Sequence, residues 1–170
     1  ASGLSAANRG QNVARSQHRG AVLRINRRRK ITCTVTADSI VAQLDGRELF
    51  RHNGNPTWDA MNTGWGVPNP RQLMLGANQS SFTIHSLRLT PSDRTSLPPQ
   101  SNQSTSVASK PIDLLKLVDP AKNAVLGTWR KAGDELLVPR LSDCARLEIP
   151  YRPPAEYDLE VEVTRNGRGN

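Results

Sequence analysis

Three acidic residues near the end of the chain have a spacing that could do chemistry. Asp158, Glu160 and Glu162 occupy alternate positions, and in a β-strand this spacing places side chains on one face. Paired carboxylates on one face are what glycoside-cleaving enzymes use, one as nucleophile or base and one as proton donor. The intervening positions are apolar: Leu159, Val161 and Val163. Because those positions form a core face, we expect the acids to face solvent rather than to catalyse.

A basic cluster near the start is the second group with recognisable chemistry. Its consecutive members are Arg27, Arg28, Arg29 and Lys30. No acid precedes Asp38, and the whole chain has a formal charge of +8, so the cluster could contact a polyanion. Aromatic residues that stack on single-stranded nucleic acid are missing around it, which disfavours a nucleic-acid partner. The alternative is a solvated turn, Asn26–Lys30, between strands at 21–25 and 31–36, whose charge protects a sheet edge.

Two tryptophans in a long polar loop, residues 51–69, are candidates for ligand binding. Trp58 and Trp65 offer flat apolar faces that could stack on sugar rings, although they could instead plug the end of a sandwich. Asn78 and Arg71 lie near the following turn and could donate hydrogen bonds to a polar ligand. These four residues form the predicted ligand-binding set.

Other chemistry-bearing residues lack partners in the sequence. His52 and His85 have no acid or second ligand nearby, which disfavours a metal site or a general base. Cys33 and Cys144 share no metal-ligand spacing and are expected to be small buried residues. Serine-nucleophile, phosphate-loop, zinc and EF-hand motifs are absent. We therefore expect no cofactor and no metal, and a binding module rather than an enzyme.

The elements that must position these residues are predicted to be strands. The chain has 170 residues with 12 Gly and 12 Pro, and its apolar residues recur with a period of two, as between Ile31 and Val35. Asp45–Gly46 predicts a hairpin turn, and the slipped alternation between Ile84 and Leu87 predicts a β-bulge. The apolar cluster at 112–118 is expected to form a turn of helix.

The chain divides into two halves around a linker. Residues 92–110 are rich in Ser, Pro and Gln, and composition of this kind is typical of a mobile connection. Residues 1–91 precede it and residues 111–170 follow it. The final residues, 166–170, read as a turn with no strand after it. No stretch is apolar enough to span a membrane.

The two halves resemble parts of a known fold family, with the C-terminal half of the domain preceding the N-terminal half. Residues 111–170 resemble the opening of a laminin-G-like or concanavalin-A-like jelly roll through Gly127-Thr-Trp-Arg-Lys131 and the corner Ile149-Pro-Tyr-Arg-Pro-Pro154. Residues 1–91 resemble the close of the same domain type through Trp65-Gly-Val-Pro68 and the strand ending at Pro91. Such domains occur in large bacterial multidomain proteins, and the 3-keto-disaccharide hydrolase family shares their fold.

The resemblance implies an antiparallel β-sandwich, either one circularly permuted domain or two half-domains of adjacent repeats. Pairing of Leu159–Val163 with a strand from residues 21–90 would favour the first arrangement. The implied function is a non-catalytic module that binds a glycan or a protein. The alternatives are a fragment of a glycoside-cleaving enzyme and a cationic module that binds polyanions. The resemblance also implies an extracytoplasmic or membrane-attached parent protein, and unpaired strand edges could mediate self-association.

Overall fold

The computed structural model describes residues 2–3, 17–18, 22–54, 69, 71–78, 80–92, 110–139 and 144–168. Antiparallel strands dominate these residues, which confirms the all-β prediction. The strands are β1 (Ser2–Gly3), β2 (Gln17–His18), β3 (Arg28–Val35), β4 (Ser39–Leu44), β5 (Arg47–Asn53), β6 (Met74–Asn78), β7 (Ser80–Pro91), β8 (Ile112–Asp113), β9 (Ala124–Leu126), β10 (Arg130–Ala132), β11 (Glu135–Val138), β12 (Cys144–Glu148) and β13 (Tyr157–Arg168). A 3₁₀ helix (Leu114–Leu117) and a single-turn helix, α1 (Pro120–Asn123), lie between β8 and β9.

Most strands belong to one large sheet, ordered β10-β11-β7-β13-β3-β4-β5, in which β8 also pairs with β7. The long strand β13 lies between β7 and β3, and both pairings are antiparallel. Leu159 is opposite Cys33 on one side and Leu89 on the other. The strand Leu159–Val163 therefore pairs with strands that precede residue 92, and both halves of the chain build this sheet.

Local sequence explains the hairpin that joins β4 to β5. Asp45 and Gly46 have φ angles of 48° and 80°, and a two-residue hairpin turn of this kind requires positive φ at both positions. Gly adopts that conformation without strain, and Asp tolerates it better than most residues. The hairpin predicted from Asp45–Gly46 is confirmed.

A small sheet, ordered β6-β12-β9, covers the large sheet. The core between them contains side chains from both sheets, with Leu87 and Leu136 from the large sheet and Ala145 and Leu147 from the small one. Trp129 is only 6% exposed, and its indole N–H donates to the carbonyl oxygens of Leu126 and Arg146. The alternation of apolar and polar residues in β12 explains which face it buries.

The predicted helical turn within residues 112–118 is the 3₁₀ helix. It buries Leu114 and Leu115 in the same core, together with Val118 just after it. Asp119 then begins α1, because its carboxylate accepts a hydrogen bond from the N–H of Ala121 at 3.0 Å, which satisfies one of the donors at the start of a helix. No helix among the described residues is long and apolar enough to cross a membrane.

The basic cluster does not form the predicted solvated turn at a sheet edge. Strand β3 already begins at Arg28 and lies inside the large sheet, between β13 and β4. Of the predicted strand at 21–25, the described residues 22–25 contribute only a single bridge between Ile25 and Arg165. Alternation could not reveal this, because the outward face of an interior strand can carry Arg and Lys when a neighbouring strand supplies acids.

The predicted turn at residues 166–170 is also wrong where the structure describes it. Strand β13 continues to Arg168, where Gly167 and Arg168 are opposite Ser81 and Ser80 of β7. The sequence Asn166-Gly-Arg168 is polar and contains a glycine, a composition that is typical of turns, so the strand end was not predicted. Pairing with the start of β7 satisfies backbone groups that a turn would have left without partners.

Candidate functional site

The side of the large sheet that faces away from the core, here called the outward face, carries most of the polar side chains with possible functions. On β13 it presents Asp158, Glu160, Glu162 and Thr164, since the alternate residues Leu159, Val161 and Val163 pack towards the core. These four residues are opposite, in the same order, Thr34, Thr32, Lys30 and Arg28 of the neighbouring strand β3. The predicted solvent-facing placement of the acids therefore follows from the period of two.

Basic residues of β3 form ion pairs with the two glutamates of the outward face. Glu162 accepts hydrogen bonds from Arg28, and Glu160 forms an ion pair with Lys30. The two glutamate side chains are 36% and 41% exposed. Asp158 accepts a hydrogen bond from the Thr34 hydroxyl at 2.6 Å. Each of the two glutamates is therefore engaged by a cation of the neighbouring strand.

Arginines gather at the end of the large sheet where β3 begins and β13 ends. This basic end comprises Arg27, Arg28 and Arg29. The chain reaches it through a tight turn at Asn26, whose φ is 55° and whose N–H donates to the carbonyl oxygen of Arg165 at 2.8 Å. An open cavity of about 590 Å³ lies here, lined by Asn26, Arg27, Arg28, Arg29 and Asp45.

Asp45 fixes one side of this cavity. Its carboxylate accepts a hydrogen bond from the backbone N–H of Lys30 at 2.9 Å and forms an ion pair with Arg29. The backbone N–H of Lys30, followed by the Arg29 side chain, lowers the pKa of Asp45. The hairpin turn therefore holds an ionised carboxylate against the start of β3 and orients the Arg29 guanidinium.

A second polar cluster on the outward face joins three strands around His85. The imidazole Nδ1 of His85 lies 2.6 Å from Oε1 of Glu135 on β11, and its Nε2 lies 2.8 Å from the hydroxyl oxygen of Thr164 on β13. The expectation that His85 lacks an acid partner is wrong. Glu135 is 50 positions away in sequence, and only the pairing of β11 with β7 brings the two together.

A β-bulge in β7 aims His85 at these partners. The register with β13 shifts between Glu162, opposite Ser86, and Val163, opposite Ile84. His85 is the extra residue, and Ile84 and Leu87 on either side remain buried. The bulge predicted from the slipped alternation is confirmed, and bulges commonly redirect a side chain in this way.

One tautomer of a neutral His85 satisfies both contacts. An ionised Glu135 can only accept, so Nδ1 carries the proton and Nε2 accepts from the Thr164 hydroxyl. The three side chains thus form a hydroxyl–imidazole–carboxylate chain, hereafter the relay. This order of groups is the one in which a carboxylate orients an imidazole that can remove a proton from a hydroxyl.

The predicted ligand-binding residues do not form one site. Asn78 is exposed on β6 of the small sheet, opposite Cys144, whose Sγ lies 3.6 Å from its side-chain oxygen. Arg71 is exposed shortly before β6, and its backbone N–H donates to the side chain of Asn69. Trp58 and Trp65 lie outside the described residues. The arginines of the polyanion set do lie together: Arg27, Arg28 and Arg29 line the cavity, and Lys30 follows on β3.

The two cysteines are free rather than bridged. Cys33 lies on β3 with its side chain towards the core, next to Leu159 of β13. Burial, and then the charge of Asp158, raise the pKa of its thiol. A thiol held protonated in this way is a poor nucleophile, which fits the packing role expected for it.

Comparison with known proteins gives no further identification. No protein-family model, curated protein or solved structure matches the chain. Among the described residues, no group of three or more His, Cys, Asp and Glu side chains could hold a metal ion.

Proposed function

We propose that this chain is a carbohydrate-binding module of the jelly-roll type, and that it holds an anionic polysaccharide at its basic end. The observation that carries the proposal is the cavity lined by three consecutive arginines. The large and the small antiparallel sheet are each built from strands of both halves of the chain, which supports the jelly-roll relationship and its circular permutation.

The charges at the basic end favour an anionic ligand. Arg28 and Arg29 are held by Glu162 and Asp45, whereas Arg27, which also lines the cavity, forms no ion pair with a described carboxylate. Guanidinium groups bind sulfate and carboxylate groups through paired N–H donors. Because Arg28 and Arg29 are already oriented by their carboxylates, less side-chain freedom is lost when a ligand binds.

A polysaccharide fits this site better than the other candidate partners do. The cavity lining contains no aromatic residue on which the bases of a nucleic acid could stack. The lining is polar and offers no apolar patch against which a protein partner could pack. Glu160 and Glu162 are engaged by Lys30 and Arg28, so the proposal assigns no cleavage of glycosidic bonds to them.

The binding test compares sulfated, uronic-acid-containing and neutral polysaccharides on a glycan array and on heparin columns. We expect the protein to bind the anionic polysaccharides at low salt. Binding should weaken steeply as the salt concentration rises, because contacts between guanidinium and anionic groups are electrostatic. Substitutions Arg27→Gln and Arg28→Gln should each lower the salt needed for elution. Arg71→Gln removes an exposed arginine near the small sheet and is the matched control, with elution unchanged.

Three results would contradict the proposal. Equal elution of all three variants would mean that net charge alone retains the protein. Equal binding of neutral polysaccharides would move the site elsewhere, and Trp58→Ala and Trp65→Ala in the same array would then identify a stacking site. Tighter binding of duplex DNA than of heparin at matched salt would replace the polysaccharide with a nucleic acid.

A further inference from the structure

We infer that the relay of Glu135, His85 and Thr164 is a catalytic site for acyl transfer, with Thr164 as nucleophile and a carboxylic ester as substrate. This activity goes beyond binding at the basic end. Removal of small acyl groups esterified to a polysaccharide is the reaction that would use both sites. Both halves of the sequence contribute to the relay, His85 from the first and Glu135 and Thr164 from the second.

The relay has the contacts that an activated hydroxyl requires. Thr164 Oγ1 lies 2.8 Å from Nε2 of His85, and Glu135 Oε1 lies 2.6 Å from Nδ1. Both distances are within the range for a nucleophile and its base and for the base and the group that orients it. His85 is 14% exposed and Glu135 is 44% exposed, so the imidazole is sheltered while its carboxylate partner reaches solvent.

Arg28 connects the relay to the basic end. It is directly opposite Thr164 in the pairing of β3 with β13, and it also lines the cavity. Two of its nitrogens, Nε and one Nη, donate to Glu162, and a guanidinium has five N–H donors in all. The remaining donors can stabilise negative charge that develops on a carbonyl oxygen beside Thr164.

The proposed reaction balances with water as the only co-reactant. Thr164 Oγ1 attacks the ester carbonyl carbon while its proton passes to Nε2 of His85, and Glu135 stabilises the resulting imidazolium. The C–O bond to the leaving alcohol breaks, and the alcohol takes the proton from His85. Water then attacks the acyl group on Thr164, again giving a proton to His85, and the acid leaves as Thr164 Oγ1 regains its proton.

The test uses the full chain and p-nitrophenyl acetate, with release of nitrophenol followed by absorbance and acylated residues located by peptide mass spectrometry. We expect hydrolysis faster than in buffer, with acetyl on Thr164. His85→Gln should lower the rate roughly a hundredfold, the usual size of a general-base contribution, and Thr164→Val should abolish acylation. Thr164→Ser keeps a hydroxyl and should retain activity.

Glu135 is a positioning residue, so its substitution should change the pH dependence of the reaction, which a purely structural residue would not affect. Glu135→Gln should lower the rate and change its pH profile while Thr164 remains the acylated residue. Thr90→Val removes a threonine of β7 that is outside the relay and is the control for Thr164→Val, expected to hydrolyse like the unsubstituted chain. Thermal unfolding of each variant separates loss of chemistry from loss of fold.

The inference is overturned if hydrolysis by the unsubstituted chain equals that of His85→Gln, or if acetyl is found only on lysines or other hydroxyls. It is also overturned if Thr164→Val hydrolyses the ester normally, because the relay would then only connect strands. None of these results depends on heparin binding. Failure of the relay and failure of the basic end are therefore measured separately.

Discussion

At the scale of single residues, cross-strand ion pairs determine what the outward face can do. The pairs of Arg28 with Glu162 and of Lys30 with Glu160 are partly exposed, and exposed pairs of this kind stabilise a protein by only about 0–1 kcal/mol each. Their main effect is to orient the basic groups and occupy the acids. The face therefore presents fixed hydrogen-bonding groups rather than free carboxylates.

The pKa of Asp45 leads to a prediction about acid stability. Its pKa is lowered in the folded chain by the Lys30 N–H and by Arg29, so its contribution is complete above the unfolded value of about 3.9 and is lost as pH falls through the folded value. Asp45→Asn should therefore lose less stability than the unsubstituted chain between pH 5 and pH 2, as measured by urea unfolding. Asp134→Asn, in the exposed turn after β10, is the control; an equal effect there would contradict the assignment.

Single residues also mark where sequence reasoning fails. The solvent-facing acids of β13 were predictable, because their apolar neighbours show the period of two. The relay was not, because His85 and Glu135 belong to opposite halves and meet only through strand pairing. The one available signal was the slipped alternation at Ile84–Leu87, which indicated a bulge but not its purpose.

At the scale of elements, β12 joins the small sheet and packs it against the large one. Leu147 and Ala145 are fully buried. Leu147 is opposite residues of both β6 and β9, and Ala145 is opposite Ala77 of β6. Strands and hairpins of this kind were predictable from alternation and from Asp45–Gly46. Sheet order was not, since alternation shows which face is buried but not which strand is adjacent.

Leu147 provides a test of this packing. Leu147→Ala should lower the free energy of unfolding by about 2–5 kcal/mol, the usual loss for a buried leucine that leaves a cavity. Leu126→Ala on the adjacent strand β9 is the matched control, because Leu126 is 42% exposed, and its loss should be much smaller. Urea unfolding measures both variants, and equal losses would contradict the core described here.

At the scale of the whole molecule, the two halves of the chain form common sheets. Strand β13 separates β7 from β3, and β11 extends the same sheet beyond β7. Turn and strand patterns in the sequence predicted two halves in reversed order, and that order stays a prediction. Whether those halves would meet was not, because pairing across a long connection leaves no local signal.

Separation of the halves tests this arrangement. Residues 1–92 and 110–170, expressed apart, should each lack a cooperative unfolding transition, because β3 and β7 lose the strand between them. Mixed together, they should regain a dispersed amide NMR spectrum. A cooperative fold in residues 1–92 alone would show that the second half is dispensable.

The central place of β13 also governs how the chain can fold during synthesis. Residues 157–168 leave the ribosome after every other strand described here, yet they fill the gap between β7 and β3. Until they emerge, two strand edges have no partner and can pair with other chains. We expect the nascent protein to depend on chaperones at this stage, and its folding to be slow for its size because its central contacts are distant in sequence.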